Sequence, residues 1–433
     1  MPPSVVGLVG IGALLVLIFL RMPVAFVMAL VGFVGFGYLV SFNAALNMMV
    51  SDMFAVFGSY NLTVIPLFIL MGQVAFHSGI SSRLFDVAYH FIGHRPGGLA
   101  VATVGACAGF SAICGSTNAT AATMAAVTLP EMKRYHYRDS LATWVVAAGG
   151  SLGILIPPSV IFIVYGVMTE QSIGALFMAG VLPGILLTVL FSLTIMLWTT
   201  LRPEIAPRGP RFTPAQKLRS LSGLVETLLL FLLVMGGLFF GLFTPTEAGG
   251  VGAFGTLVIA LVQRRIDLKG ILQSLVETTR ISCMILMIVA GATVFGHFLA
   301  VTRIPFDVAG WVAGFNLPPA AVVGFIILVF LVGGCFMDAL ALIMLTVPIF
   351  YPVISSLGYN AVWFGVIIVL VTQIGVITPP VGINVYVVSG VARTVPLQTI
   401  FRGVLPLLIA LIIGTALLIP FPQIALFLPG LMR

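Results

Sequence analysis

The chain has 433 residues, of which 60% are hydrophobic and only 7% are Asp, Glu, Lys or Arg. About a quarter of the residues in soluble domains are charged, so this composition excludes a soluble fold and predicts a polytopic membrane protein. The formal charge of +7 comes from Arg and Lys clustered in short loops. Such clusters indicate membrane topology rather than nucleic-acid binding.

The chain opens with apolar runs at residues 4–20, 23–40 and 62–76, which predict three spans. The first run has no basic region before it and no cleavage-like site after it, so we expect a span rather than a removable signal peptide. Residues 42–59 are shorter and mixed, and we expect them at a membrane interface.

Residues 97–130 predict the first re-entrant hairpin. Basic loops flank the segment on both sides, so both of its ends should lie on the cytoplasmic side. The tip is the sequence CGSTN at residues 114–118. Two tight full spans are the alternative, but arms of about 17 residues would barely cross the bilayer.

The rest of the chain predicts further spans and a second hairpin. In order, we expect a broken span at 141–168, spans at 172–200, 222–243 and 245–263, an amphipathic stretch at 266–280, a span at 281–300, a hairpin at 308–351 with its tip at Gly333-Gly334, a broken span at 361–390 and a last span at 403–422. The loop at 201–220, rich in Arg and Pro, is the most strongly marked cytoplasmic loop.

The two broken spans are interrupted by similar sequences, GSLGILIPPS at 150–159 and QIGVITPPVG at 373–382. A proline pair removes two backbone donors, and its rings clash with the preceding turn, so the helix must unwind there. In hydrocarbon the freed backbone groups need protein, water or a ligand as partners. Two such breaks in matching positions point to a transport site near the middle of the bilayer.

The halves repeat at a nearly constant spacing. Pro23 matches Pro245 and the two proline pairs match each other at an offset of 222, while Pro130 matches Pro348 at 218. Many ordered matches indicate duplication. With the charge map, they predict inverted repeats at residues 1–220 and 221–433, about eleven spans plus two hairpins, and both termini outside. The predicted fold class is therefore an all-α integral membrane protein.

The first tip offers ligands for either an anion or a cation. Ser116 or Thr117 can cap the returning helix, whose N-terminus favours an anion. The hydroxyls and exposed carbonyls of the tip could equally hold Na⁺ through oxygen atoms. The alternative is that these are simply the small residues that membrane helices use for close packing.

Asp338 and the two breaks complete the candidate set. A carboxylate in an apolar run is costly, so Asp338 is a cation ligand, a proton-linked group or a structural hydrogen-bond acceptor. At the breaks, Ser151, Gly153 and Ser159 are expected to face Gln373, Gly375 and Thr378, with Asn384 one turn beyond. A proline kink filled by water or by neighbouring hydroxyls is the alternative.

The remaining polar residues and the cysteines are predicted to have structural roles. Glu247 should cap a helix, Glu226 should lie at the cytoplasmic rim, and His77 and His297 should be hydrogen-bonded core residues. Cys107, Cys114, Cys283 and Cys335 lack metal-ligand spacing and are predicted to be small core residues. The sequence contains no phosphate-binding loop and no nucleophile–base pattern, so we expect neither ATP binding nor enzymatic activity.

Over essentially its whole length the chain resembles the large membrane subunit of tripartite ATP-independent periplasmic (TRAP) transporters. The most specific stretches are GSTNATAATMAAVTLPEM (115–132), GGSLGILIPPSVIFIVYG (149–166), SIGALFMAGVLPG (172–184), FTPTEAGGVGA (243–253) and GVITPPVGINVYV (375–387). The family tip is usually Gly-Ser-Ser, and Thr117 keeps the hydroxyl here. The family's Asp-Pro after the second hairpin is replaced by Asn360-Ala361.

The resemblance implies Na⁺-coupled uptake of a small organic anion, such as a C4-dicarboxylate or a sialic acid, across a bacterial or archaeal inner membrane. It implies a small four-span partner subunit and a periplasmic substrate-binding protein. Hairpins and broken spans would form a transport domain that moves elevator-fashion against a scaffold of the remaining helices.

The candidate residues divide into two sets. Those for Na⁺ are Ser116, Thr117, Asn118, Ser151, Gly153, Gly333, Gly334, Asp338, Gly375 and Thr378. Those for substrate are Asn118, Thr120, Pro157, Pro158, Ser159, Pro379, Pro380, Gly382 and Asn384. A single-component anion transporter without a binding protein is the closest alternative function, and a channel or a scaffold subunit is the alternative from another class.

Overall fold

The structure is a computed structural model that describes residues 2–307, 310 and 318–432. Its α-helices are α1 (Pro3–Phe19), α2 (Val24–Leu39), α3 (Phe42–Phe57), α4 (Val64–His77), α5 (Ile80–Ile92), α6 (Gly98–Cys114), α7 (Thr117–Arg134), α8 (Asp139–Gly150), α9 (Val160–Thr169), α10 (Ile173–Leu201), α11 (Pro214–Ser220), α12 (Ser222–Phe239), α13 (Pro245–Val262), α14 (Leu268–Thr302), α15 (Pro319–Gly334), α16 (Ala339–Ser356), α17 (Ala361–Val376), α18 (Ile383–Val391), α19 (Leu397–Leu418) and α20 (Gln423–Leu426). Short 3-10 turns occur at Tyr60–Thr63, Ser151–Ile154, Pro203–Ile205 and Pro429–Leu431.

The predicted all-α membrane fold is confirmed. Within the described residues, 7 helices are long and apolar enough to cross a bilayer, and shorter apolar helices of 10–17 residues accompany them. Many of their large apolar side chains face outward, as expected where lipid replaces water as the solvent. The inverted orientation of the halves and the sidedness of the termini stay predictions.

The first hairpin consists of α6 and α7, joined at Gly115 and Ser116. Gly115 has φ of +66°, a conformation that glycine adopts without steric cost. Ser116 is the N-cap of α7, and its Oγ accepts a hydrogen bond from the Ala119 N–H at 3.4 Å. The turn therefore lies where the sequence placed it.

The second hairpin consists of α15 and α16, and its tip lies slightly later than predicted. Helix α15 continues through Gly334, and the turn comprises residues 335–337. Asp338 caps α16, with its Oδ2 accepting a hydrogen bond from the Leu340 N–H at 3.0 Å. The predicted start of this hairpin at residue 308 lies outside the described residues.

Both broken helices are present. Helix α8 ends at Gly150, and α9 begins only at Val160; α17 ends at Val376, and α18 begins at Ile383. The Pro157–Pro158 and Pro379–Pro380 peptide bonds are both cis. We refer to residues 151–159 as the first break and to residues 377–382 as the second break.

Helix α14 unites two segments that the sequence suggested separately. The amphipathic stretch 266–280 and the span 281–300 form one continuous helix of 35 residues, capped by Asp267. It packs closely on α2, since a Cβ at Gly291 would lie 2.3 Å from the Ala25 carbonyl oxygen. Helices α2 and α14 therefore form a tightly joined wall.

Several predictions for single polar residues can be checked. Glu247 does cap α13, because its Oε2 accepts from the Thr244 N–H at 2.8 Å while the Thr244 Oγ1 accepts from the Glu247 N–H at 3.3 Å. The prediction that His77 and His297 are hydrogen-bonded core residues is wrong. His297 is exposed and lies 3.3 Å from the Asp52 carboxylate, and the Nε2 atom of half-buried His77 lies 4.0 Å from the Glu277 carboxylate with no hydrogen-bond partner among the described residues. The prediction that all four cysteines are core residues is wrong for Cys283, which is exposed.

Candidate functional site

A cavity of about 730 Å³ lies between the two hairpin tips and the wall formed by α2, α4 and α14. The tips and α17–α18 supply its polar side chains, while the wall is mainly apolar. The polar residues of its lining are Gln73, Ser116, Thr117, Asn118, Asp338, Gln373 and Asn384. The cavity therefore brings together polar residues that are up to 311 positions apart in sequence (Gln73 to Asn384).

The first tip lies directly against the first break. The Val160 N–H donates to the Gly115 carbonyl at 3.5 Å. A Cβ at Gly153 would lie 2.6 Å from the Ser116 carbonyl oxygen, and one at Gly150 would lie 2.7 Å from the Ala121 side chain. Only glycine allows backbones to approach this closely.

The second tip meets the second break in the same way. The Val381 N–H donates to the Cys335 carbonyl at 3.2 Å. A Cβ at Gly375 would lie 2.5 Å from the Gly334 carbonyl carbon. The same tip-to-break contact thus occurs once in each half of the chain.

Two hydrogen bonds also join the halves to each other. The Thr117 Oγ1 lies 3.4 Å from the Gln373 Oε1 and donates to it, so the first tip contacts α17. The Asn384 Nδ2 donates to the Ala147 carbonyl at 3.2 Å, so α18 contacts α8. Tips and breaks therefore form one packed unit.

The predicted site residues fall into two groups. Ser116, Thr117, Asn118, Asp338 and Asn384 line the cavity. The others lie behind this surface or away from it among the described residues: Thr120, Ser151, Gly153, Pro157, Pro158, Ser159, Gly333, Gly334, Gly375, Thr378, Pro379, Pro380 and Gly382. The first group is placed to contact a solute, and the glycines of the second group allow the close contacts between tip and break.

Two hydroxyls behind the tips are oriented by helix carbonyls. The Ser151 Oγ–H donates to the Ala148 carbonyl at 2.6 Å, and the Thr378 Oγ1–H donates to the Ile374 carbonyl at 2.5 Å. Each hydroxyl uses its proton in this bond and keeps its oxygen lone pairs free. Such an oxygen can accept a hydrogen bond or coordinate a hard cation.

Several buried polar atoms at the site have no hydrogen-bond partner among the described residues. They are Gln73 Oε1, Thr120 Oγ1, Gln373 Nε2 and Asn384 Oδ1. Buried polar groups in folded proteins are nearly always paired, and each exception needs an explanation. Three of these four residues line the cavity, so a bound solute, ion or water is the natural partner.

The charge of the lining limits how an anion could bind. Asp338 is its one charged side chain, and no Arg or Lys lines the cavity in the described part of the chain. An anionic solute would therefore rely on amide groups, backbone N–H groups and a bound cation.

The donor set suits Na⁺ better than a transition metal. Within residues 2–307, 310 and 318–432, no group of three or more His, Cys, Asp or Glu side chains could hold a metal ion. Hydroxyl, amide and carbonyl oxygens are abundant at both tip-to-break contacts, and hard cations prefer oxygen ligands.

Sequence reasoning missed the wall of the cavity. Gln73 on α4 carries one of the unpartnered oxygens, and Cys283 and Met284 on α14 complete that side. A lone amide in the apolar run 62–76 was the available signal for Gln73. The α14 residues gave no such signal in the sequence, because apolar residues that face a cavity cannot be told by type from those that face lipid.

Comparison with known proteins gives concordant matches. The model of the DctM component of tripartite ATP-independent periplasmic transporters matches residues 11–424. A C4-dicarboxylate TRAP transporter large permease protein of Pseudomonas aeruginosa is 37% identical over 372 residues, which cover 86% of each chain. A sialic acid TRAP transporter large permease protein of Vibrio cholerae is 35% identical over 417 residues, which cover 96% of each chain.

Among solved structures, the crystal structure of the Alcanivorax borkumensis YdaH transporter aligns with a TM-score of 0.64. The alignment covers 91% of this chain and 90% of that chain at 18% sequence identity. At this identity the likeness concerns the fold alone.

Proposed function

The chain belongs to the DctM component family of TRAP transporters, and we propose that it carries a small organic anion into the cell by Na⁺-coupled secondary transport. It is a multi-pass membrane transporter subunit and not an enzyme. The observation that carries the proposal is the cavity bordered by both hairpin tips, where the buried Gln373 Nε2 and Asn384 Oδ1 atoms lack partners among the described residues.

Na⁺ is proposed to bind where each tip meets its break. The first site would use oxygens from residues 116–118 and 151–153, and the second would use oxygens from residues 333–338 and 375–378. Support comes from the oriented hydroxyls of Ser151 and Thr378 and from the close backbone contacts at Gly153 and Gly375.

Coupling to a cation has an electrical reason. A dianion that enters against an interior-negative potential of 100 mV loses about 4.6 kcal/mol, at about 2.3 kcal/mol per charge. Two Na⁺ ions would cancel this cost, and a third would add driving force. Because Asp338 is the one charged side chain in the described lining, bound Na⁺ would also supply the positive charge that an anion needs.

The proposed substrate is a carboxylate of the size that relatives carry. Relatives are named for C4-dicarboxylate and for sialic acid, and a cavity of about 730 Å³ is within the usual range for small-molecule sites. The amide of Gln373, the side chain of Asn118 and the N-terminus of α7 are proposed to bind its carboxylate.

We further propose that tips and breaks move together against the wall formed by α2, α4 and α14. In this scheme α6–α9 and α15–α18, from inverted repeats 1–220 and 221–433, form the transport domain of an elevator. Hydrogen bonds between the halves, from Thr117 and Asn384, support its movement as one body. Disulfide cross-links between this unit and α2 should arrest uptake, and uninterrupted uptake would exclude the elevator.

The proposed partners are a small four-span membrane subunit and a periplasmic substrate-binding protein, with the complex in the inner membrane and both termini of this chain in the periplasm. The alternative is a single-component anion transporter. Its distinguishing property would be efficient uptake by this chain alone.

The test is solute uptake into proteoliposomes that contain this chain and the small subunit, with the binding protein added outside. We expect uptake with an inward Na⁺ gradient and none when choline replaces Na⁺ at constant pH. Omission of the binding protein should also abolish uptake. Full uptake in choline would exclude Na⁺ coupling, and full uptake without the binding protein would favour the single-component alternative.

A further inference from the structure

A second pocket, which we call the rim pocket, lies apart from the cavity among α5, α11 and α12. Its volume is about 240 Å³, and it shares no lining residue with the cavity. It is lined by Arg83, Asp86, His90, Gln216, Arg219, Ser220 and Ser222. Nothing in the proposed transport cycle uses these residues.

One wall of the rim pocket is held in place by a half-buried ionic cluster. Arg83 Nη1 donates to Glu226 Oε1, and Arg83 Nη2 donates to the Ser222 Oγ at 2.9 Å. The other Glu226 oxygen accepts from Arg265 Nη1 at 2.7 Å. Since two guanidinium groups share one carboxylate, the cluster keeps one excess positive charge. Gly223 lets α12 approach α5, because a Cβ there would lie 2.9 Å from the Arg83 Cβ.

The open side of the rim pocket adds further donors. Arg219 is exposed, and no carboxylate of the described residues lies within ion-pair distance of it. Asp86 is the one carboxylate of the lining, whereas two arginines, Arg83 and Arg219, line the same pocket. The balance of charge therefore favours an anion.

An exposed apolar strip begins beside the rim pocket and continues along α12. Its members are Leu218, Leu224, Val225, Leu228, Leu229 and Leu232. Helix α11 has no buried residue and presents Lys217 and Arg219 next to Leu218. A basic patch beside an apolar strip is typical of a surface at the boundary between lipid headgroups and acyl chains.

We propose that the rim pocket binds the phosphate group of an anionic phospholipid, whose acyl chains lie along the exposed side of α12. Arginine is well suited to phosphate, because its planar fork can donate two parallel hydrogen bonds. Basic pockets between membrane helices on the cytoplasmic side bind anionic headgroups. The apolar strip places lipid acyl chains next to the rim pocket, which favours a lipid phosphate over a soluble one.

The test is binding of phosphatidylglycerol to the full-length chain in uncharged detergent, measured as the shift in melting temperature during a lipid titration. Phosphatidylcholine and soluble glycerol 1-phosphate are the comparison ligands. Arg219→Gln removes the exposed guanidinium of the rim pocket. Arg280→Gln, at an exposed position on α14, is the matched control.

We expect phosphatidylglycerol to raise the melting temperature and Arg219→Gln to weaken its apparent affinity about fivefold, the factor that about 1 kcal/mol per arginine gives. Arg280→Gln should leave the affinity unchanged. Equal effects of phosphatidylcholine, or equal affinities of both variants, would overturn the proposal. An equal shift with glycerol 1-phosphate would make soluble phosphate the ligand and would also overturn it. None of these results depends on transport.

Discussion

The two breaks have the same local sequence pattern but different environments. Every residue of the first break is buried, including Pro157 and Pro158. In the second break Pro379 and Pro380 are exposed, and Thr378 and Val381 are half-buried. At or next to each break, one backbone N–H (of Val160 or Val381) donates to the hairpin tip, and one glycine (Gly153 or Gly375) packs against it.

This difference in burial indicates that the two halves of the site differ in mobility. A segment with every residue buried is held by contacts on all sides and opens only at a high free-energy cost, whereas an exposed segment with few contacts opens easily. We therefore expect the first tip and break to act as a fixed half of the site. Within the unit that moves as a whole, the second tip can then separate from the second break to admit or release a solute.

The largest expected effect comes from adding a Cβ atom at the glycines where a hairpin tip contacts its break. Gly153→Ala places a Cβ 2.6 Å from the Ser116 carbonyl oxygen and should abolish uptake. Its free energy of unfolding should fall by about 1–3 kcal/mol, as in other overpacked sites. Gly375→Ala should also abolish uptake but lower the melting temperature less, because the second tip can shift.

Gly296→Ala on α14 is the control for both variants, because nothing lies within 4 Å of its added Cβ. It should retain uptake and melting temperature. If Gly153→Ala transports normally, the tip-to-break contact has no role in the mechanism. If Gly375→Ala is the less stable of the two variants, the proposed difference in mobility between the halves is wrong.

Thiol labelling measures the difference between the breaks directly. Ser159→Cys and Val381→Cys occupy matching positions at an offset of 222, in a chain whose Cys283 and Cys335 are replaced by Ala. Val381→Cys should react more than about tenfold faster, since tenfold corresponds to only about 1.4 kcal/mol of local opening. Equal rates, measured by mass spectrometry, would remove the distinction between a fixed and a mobile half.

Substitution of Gln373 tests whether its unpartnered Nε2 group binds the substrate. Gln373→Leu removes a buried Nε2 group that lacks a partner, but it also removes the Oε1 atom that accepts from Thr117, so the two effects oppose each other and the melting temperature should change little. The KM for solute uptake should rise about tenfold or more, because a hydrogen bond to a charged group is lost. Thr372→Val is the control, since Thr372 is buried beside it and does not line the cavity. An unchanged KM in Gln373→Leu would remove Gln373 from the substrate site.

The smallest expected effect shows what a loss of stability away from both breaks does to transport. Thr244→Ala removes the N-cap of α13 and should cost about 1 kcal/mol of stability. The KM and the Na⁺ dependence of uptake should not change. A changed Na⁺ dependence would mean that lost stability alone alters coupling, and the effects at the breaks would then need another interpretation.

Local chemistry made the irregular elements predictable. Glycine at 115 and the proline pairs dictate where helices must end, so the first tip and both breaks were placed correctly from sequence. The second tip was placed too early because Gly333 and Gly334 suggested a turn. In the structure they let α15 pack closely, with Gly334 against Gly375 and Thr372.

Contacts between distant residues were beyond sequence reasoning. Nothing in the chain indicates that Gly115 pairs with Val160 or that Thr117 meets Gln373, because such pairs depend on how helices pack in three dimensions. The continuous α14 was missed for a related reason. A change from amphipathic to apolar composition reflects the surroundings of a helix and does not interrupt it.

We propose that Na⁺ holds the exposed second break against its hairpin tip. The most direct measurement is the labelling rate of Val381→Cys in Na⁺ and in an equal concentration of choline, without solute. We expect slower labelling in Na⁺, because a bound cation would stabilise the closed contact between residues 333–338 and 375–381. An identical rate in both salts would contradict it.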